Sequence, residues 1–216
     1  MTDQSGTLTK WAFVTGPPRS GTTMMAALLS RHPSCVILQE THFPLCFAAA
    51  FDLAVGRSEG SRSISWREPY GLEGQGWTLP SLLNYGHGDR GLGILRGEAV
   101  RALCWAVRAF WPKAVVFGDK SPAYCFHWPL LRFLFPDCYV IVMQRDPEEC
   151  IDSLYRVGWQ RGPREETRVL VERYRAAIAD CPEQIAVDFE TARDHPTAAV
   201  EEVQRRLLAG TQTRER

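Results

Sequence analysis

Lysine is nearly missing from this chain: of 25 basic residues, only Lys10, Lys113 and Lys120 are lysines, and the other 22 are arginines. Any lysine inside a motif therefore stands out. Charge of one sign is missing as well. The 25 acidic residues balance the basic ones, so nothing in the totals points to nucleic acid or a membrane surface as partner. Cysteine is present but has no pattern. The seven cysteines, at 35, 46, 104, 125, 138, 150 and 181, are odd in number and contain no CxxC. Several lie in apolar runs such as Cys138-Tyr-Val-Ile-Val-Met143. This argues against a disulfide framework and against a zinc site, and reads as free buried thiols in a reducing compartment. No window reaches eighteen uninterrupted apolar residues, so no transmembrane helix is expected. The opening MTDQSGTLTKWAFVTG has no basic segment followed by a long apolar stretch, so it is not read as a signal peptide. The expected location is the cytoplasm. Internal repeats and low-complexity tracts are absent too.

What is present is an apolar fraction of 45% over 216 residues, enough for a single domain, 1–216, around one sizeable core. Residues 1–10 are polar and expected to fray. Trp11–Thr15 is a short apolar run ending at a Gly/Pro loop, as a buried strand does. TTMMAALLSRHP then reads as a helix stopped at His32-Pro33, followed by a strand over Ser34–Leu38. The result is a βαβ unit. Residues 56–93, rich in Gly, Ser and aromatics, show no periodicity and read as a functional loop or lid insertion on the acceptor side. Helical patterning returns over 97–111. Strands are expected at Ala114–Phe117, Cys138–Met143 and Gln184–Val187, and helices at Tyr124–Phe135, Pro147–Tyr155, 164–180 and Pro196–Leu208. This alternation predicts an α/β fold, a three-layer α/β/α sandwich around a mainly parallel sheet, P-loop-NTPase-like.

The most informative segment is Gly16–Thr23, GPPRSGTT. A loop leading from a strand into a helix aims backbone N–H groups at one point, and the helix N-terminus adds partial positive charge there. The G-x-x-x-x-G spacing matches the P-loop, but Thr22 occupies the place of the lysine that a P-loop kinase or ATPase uses. A plain Gly/Pro turn before a helix is the alternative.

GPPRSGTT resembles the 5′-phosphosulfate loop of sulfotransferases that use 3′-phosphoadenosine 5′-phosphosulfate (PAPS). It is nearest to the PRSGTT form of bacterial sulfotransferases and tyrosylprotein sulfotransferases. The resemblance implies that Pro18, Arg19, Ser20, Gly21, Thr22 and Thr23 hold the phosphosulfate. It also implies a second, 3′-phosphate signature after a later strand. Val140-Ile-Val-Met-Gln-Arg145 is followed by Ser153, eight residues beyond the arginine as in the family. An arginine at a strand tip can fork onto a phosphate. The plain alternatives are a surface Arg145 paired with Asp146 or Glu149, and an ordinary helix-face Ser153.

Gly118-Asp-Lys120-Ser-Pro122 resembles the family's K-x-P loop. That likeness implies Lys120 at the bridging oxygen that gains charge as the sulfuryl group departs, a transition-state-specific contact. The alternative is a solvated loop charge beside Asp119. Gln39-Glu40-Thr41-His42 falls where relatives place the base that takes the acceptor's proton. Glu40 is favoured and His42 is its rival. Alternatively, Glu40 forms only a salt bridge with Arg19 or another loop residue. The late stretch from Ile185 to Gly210 resembles the family's Y-E-D-L…P…FLG segment, with Phe189 and Glu190 for its aromatic–acidic pair, and is read as structural. Residues 11–55 and 114–210 carry the likeness. The basic Gly-containing loop that closes over the nucleotide in many relatives has no counterpart before Arg216.

The expected reaction moves a sulfuryl group from PAPS, leaving 3′,5′-adenosine diphosphate (PAP), to a hydroxyl or amine. The acceptor is a small molecule, natural product or glycan. Arg19, Glu40, His42 and Lys120 form the catalytic set, and no metal, nucleic acid or membrane is involved. Oligomerisation is open. The alternatives are a P-loop small-molecule kinase and a non-catalytic nucleotide-binding protein of the same fold. Aromatics at Trp66, Tyr70, Trp77 and Tyr85, with His87, either shape the acceptor pocket or pack beneath a long loop.

Overall fold

The computed structural model describes residues 10–44, 90–181 and 183–209. Five strands, β1 (Lys10–Thr15), β2 (Cys35–Gln39), β3 (Val116–Lys120), β4 (Tyr139–Gln144) and β5 (Gln184–Asp188), form one sheet in the order β2-β3-β1-β4-β5. Every pairing in it is parallel. Helix α1 (Thr22–Leu29) links β1 to β2, yet the two strands are not neighbours, because β3 inserts between them. Helix α2 (Arg90–Phe110) precedes β3. A 3-10 helix (Pro122–His127) and α3 (Trp128–Leu134) follow it. Beyond β4 come α4 (Pro147–Arg156) and α5 (Arg164–Ala179), and beyond β5 come α6 (Phe189–Asp194) and α7 (Pro196–Ala209).

Alternation along the strands builds two cores. Trp11 and Phe13 of β1 face one side with Phe117, Val140 and Val142, where Val107 of α2, Tyr124, Leu131 of α3 and Tyr174 of α5 cover them. Ala12 and Val14 face the other side with Ile141, Met143 and Ile185, under Met25 and Leu29 of α1 and Val203 and Leu207 of α7. Helix α4 joins α5 through Cys150, Ile151, Leu154 and Val171. These are the three layers that the sequence implied. Among the described residues, no helix is long and apolar enough to cross a membrane.

Several boundaries differ from the sequence reading. Lys10 is a buried β1 residue whose ammonium donates to the Leu207 carbonyl, so the strand begins before Trp11. β3 does not stop at Phe117 but continues through Gly118 and Asp119 to Lys120. Hydropathy misplaces this end because two buried charged residues close the strand. The helix expected at Tyr124–Phe135 divides in two. Pro129 lies in the first turn of α3, where its missing N–H costs nothing, and the preceding turns wind as 3-10 helix. Residues 90–93 belong to α2 rather than to an irregular 56–93 segment. The rest of that segment, with Trp66, Tyr70, Trp77, Tyr85 and His87, lies outside the described residues. Helix α6 was not expected: six residues are too few for a helical period to show, although Asp188 caps it by accepting from Thr191 N.

In an all-parallel sheet the loops after every strand leave from one edge, and that edge is where such folds bind ligands. The positions of two of these loops depend on Gly118. A Cβ there would lie 1.6 Å from the Ala12 carbonyl oxygen, so β3 lies against β1 more closely than a side chain permits.

Candidate active site

The loop from β1 into α1 is built on unusual backbone angles. Gly16, Arg19 and Gly21 have φ of +153°, +70° and +96°. Space excludes side chains at both glycines. A Cβ on Gly16 would lie 2.5 Å from Ser20 Oγ and 2.7 Å from the Met143 carbonyl, and one on Gly21 would lie 2.4 Å from the Phe189 ring. Pro17, Pro18, Ser20 and Thr22 are buried, whereas Thr23 is exposed on the first turn of α1. Ser20 N donates to the Pro17 carbonyl at 3.0 Å. Ser20 Oγ is buried without a hydrogen-bond partner among the described residues. An orphaned hydroxyl in a glycine-bounded loop at a helix N-terminus suits an anion that supplies the missing partner. The donor set of this loop therefore fits a phosphosulfate group.

The Gly16–Thr23 loop and the Arg145/Ser153 motif interlock. Arg19 Nε donates to Ser153 Oγ at 3.0 Å, and Arg145 Nη1 donates to the Arg19 carbonyl at 3.0 Å. Arg145 also pairs with Glu149 at 3.0 Å and lies over the Phe189 ring, 4.1 Å from its centroid. Ser153, on the buried face of α4, is only 6% exposed. Asp146 does not pair with Arg145. It caps α4 instead, accepting from Glu148 N and Glu149 N. Sequence reasoning took Phe189 as structural. Here it touches both the loop, at Gly21, and Arg145. Trp159 was missed altogether: it is 62% exposed and lies 5.2 Å from the Arg19 guanidinium. Nothing in its local sequence, Val157-Gly-Trp-Gln, marks it.

The second half of the site is at the ends of β2 and β3. Register pairs Lys120 with both Val14 and Gln39, so its side chain starts beside the strand that feeds the loop. Lys120 is 3% exposed and is not a solvated loop charge. Its Nζ meets Glu40 Oε1 at 2.5 Å, and the Glu40 side chain keeps 51% of its surface open. Glu40 therefore pairs with Lys120 and not with Arg19. The backbone explains how it reaches: Glu40 has φ +53° and its N–H donates to the Lys120 carbonyl at 2.8 Å. His42, the rival base, also has φ +53°, and its ring is half-buried, 6.1 Å from that of Tyr124. Nearby, burial pushes His127 down to about 4, with a further contribution from His42.

Among the described residues, the most deeply buried thiols are not candidates for the chemistry. Burial pushes Cys35, Cys125 and Cys138 up to about 12, so none is a thiolate nucleophile near neutrality. No group of three or more metal-ligating side chains occurs among the described residues.

A parallel sheet with a glycine-bounded loop between its central strand and a helix defines an α/β protein of the P-loop type. The model of the sulfotransferase family matches residues 12–208, and the chain belongs to that family, whose enzymes use PAPS. No curated protein sequence matches the chain significantly. Among solved structures, the sulfotransferase domain of the Synechococcus PCC 7002 olefin synthase is similar at 18% identity and a TM-score of 0.56. That match covers 95% of this chain and 76% of the other. The sulfotransferase domain from the curacin biosynthetic pathway gives 15% identity and a TM-score of 0.58, covering 94% and 74%. A sulfotransferase from Alicyclobacillus acidocaldarius gives 18% and 0.53, covering 91% and 79%. At these identities the structural likeness concerns the fold.

Proposed function

We propose that the protein transfers a sulfuryl group from PAPS to a hydroxyl or amine of a small-molecule, natural-product or glycan acceptor. The observation that carries this reading is the joining of the two anion motifs through Arg19, which hydrogen-bonds Ser153 while its carbonyl receives Arg145. One ligand with phosphate-like groups at two ends accounts for that arrangement. A kinase does not require it, and Thr22 stands where a kinase keeps its lysine. The buried free thiols support a reducing, cytoplasmic setting.

PAPS supplies an activated sulfuryl group whose leaving oxygen becomes negative as transfer proceeds. Loop N–H groups, Ser20, Thr22, Thr23 and Arg19 hold the phosphosulfate, and Arg145 with Ser153 holds the 3′-phosphate. Lys120, buried beside β1, meets the developing charge on the leaving oxygen. Glu40, partly open to solvent next to that ammonium, takes the acceptor's proton as the new S–O or S–N bond forms and the bridging S–O bond breaks. His42 is set back against Tyr124, which favours Glu40 for this role.

Arg145→Ala is expected to weaken binding of PAP much more than binding of 5′-AMP, read by titration calorimetry on the purified chain. Equal weakening of both would remove the 3′-phosphate assignment. The kinase alternative is separated by thermal shift: PAP should raise the melting temperature and ATP–Mg²⁺ should not. A screen of hydroxyl and amine acceptors with radiolabelled PAPS identifies the class of acceptor. Absence of any transfer or PAPS turnover, with PAP still bound, would support the non-catalytic alternative.

A further inference from the structure

Asp119 plays no part in the reaction derived above, yet it is fully buried with 0% exposure. A buried carboxylate must be matched by donors, and this one gathers five. Its Oδ1 accepts from Lys120 N at 2.9 Å and Thr41 N at 3.4 Å. Its Oδ2 accepts from His42 N at 2.8 Å, the Thr41 hydroxyl at 3.0 Å and the Tyr124 hydroxyl at 2.5 Å. Three of the five come from Thr41-His42, in a loop 77 or 78 residues away in sequence. The two residues flanking Thr41, Glu40 and His42, both lie in the left-handed region. Non-glycine residues adopt that region at a cost of order 1 kcal/mol or more each, and it persists only where the surroundings over-determine it.

We propose that Asp119 is a positioning residue: its carboxylate clamps the Glu40-Thr41-His42 turn and thereby sets the Glu40 carboxylate against Lys120. Asp119 and Lys120 are consecutive on β3, so one strand fixes both the electrophile and, through the clamp, the base. Charge matters as well as shape. An ionised carboxylate only accepts, and all five partners donate. An asparagine offers one accepting oxygen, and its NH2 group would face either the His42 N–H or the Lys120 and Thr41 N–H groups.

This inference rests on the sulfotransferase reading for its kinetic consequence but not for the clamp itself. Asp119→Asn is expected to lower kcat about 10- to 100-fold, the loss that follows when a reacting group shifts by a fraction of an ångström to an ångström. KM for PAPS and Kd for PAP should stay within about twofold, since neither anion motif touches Asp119. Asp119→Ala, which removes both acceptors, should lose more kcat than Asn with the same PAP affinity. If the alanine variant does not fold, the asparagine variant carries the test. In the wild-type protein, the Thr41 and His42 amides should be protected from hydrogen exchange, and Asp119→Asn should release them. A folded asparagine variant with kcat within twofold of wild type, or with PAP affinity falling as far as kcat, would overturn the positioning role. Unprotected Thr41 and His42 amides in the wild type would overturn the clamp. If the wild type transfers no sulfuryl group, the functional reading fails, while the exchange measurement still decides on the clamp.

Discussion

Lys120→Ala should lower turnover roughly 10²–10³-fold while leaving the fold and the affinity for PAP intact, by analogy with the loss of one oxyanion-hole donor. The size of the effect follows from burial. The Lys120 ammonium sits on a side chain only 4% exposed, where water cannot readily take over its task, and the field of a charge is stronger there than at the surface. In the proposed mechanism its contact with the leaving oxygen strengthens only as charge develops, so the loss belongs in kcat and not in ground-state binding. The folded state should tolerate the change. The strand pairing of Lys120 with Val14 and Gln39 uses its backbone, and the partner left behind, Glu40, is half open to water. Steady-state kinetics with PAPS, beside a melting curve and PAP titration, measure all three expectations. Turnover near that of the wild type would remove Lys120 from the mechanism.

Much of the candidate site was legible because its backbone geometry depends on residues that local sequence marks. GPPRSGTT needs glycines where φ is positive and space is closed, and both Gly16 and Gly21 prove to be such positions. The order Arg145 then Ser153 could be read because α4 starts at the strand tip with an Asp cap and a proline. What could not be read depends on contacts between distant segments. Asp119 resembled a loop residue, since a charged pair after an apolar run usually ends a strand. Only the convergence of Thr41, His42 and Tyr124 makes a buried carboxylate tolerable there. Phe189 and Trp159 are similar cases: their partners, Arg145 and Arg19, lie on other loops of the same sheet edge. Strand order was hidden for the same reason. Nothing local announces that β3, far along the chain, inserts between β1 and β2.

Gly118→Ala should be the most damaging single-methyl change in the described sheet. The added Cβ would lie 1.6 Å from the Ala12 carbonyl oxygen, 2.7 Å from its carbon and 3.2 Å from its nitrogen. All three are backbone atoms of β1, which pairs with β3 on one side and β4 on the other. No rotamer change relieves such a clash, so either β3 moves away from β1 or the central strand shifts. Overpacking that displaces backbone belongs to the large class of effects, on the order of 4 kcal/mol or more against a total stability of roughly 5–15 kcal/mol. For a chain of this size, the melting temperature should fall by about 10 °C or more, or the protein should be recovered insoluble. A melting temperature within about 3 °C of wild type would show that the strands do not approach as described. Any variant recovered folded offers a second reading. Gly118 immediately precedes Asp119 and Lys120, so where β3 is the strand that yields, the proposed clamp and electrophile move together while β1, Arg145 and Ser153 stay in place. Such a variant should lose turnover and keep PAP binding, placing the catalytic consequence of one added methyl group on the strand that carries it.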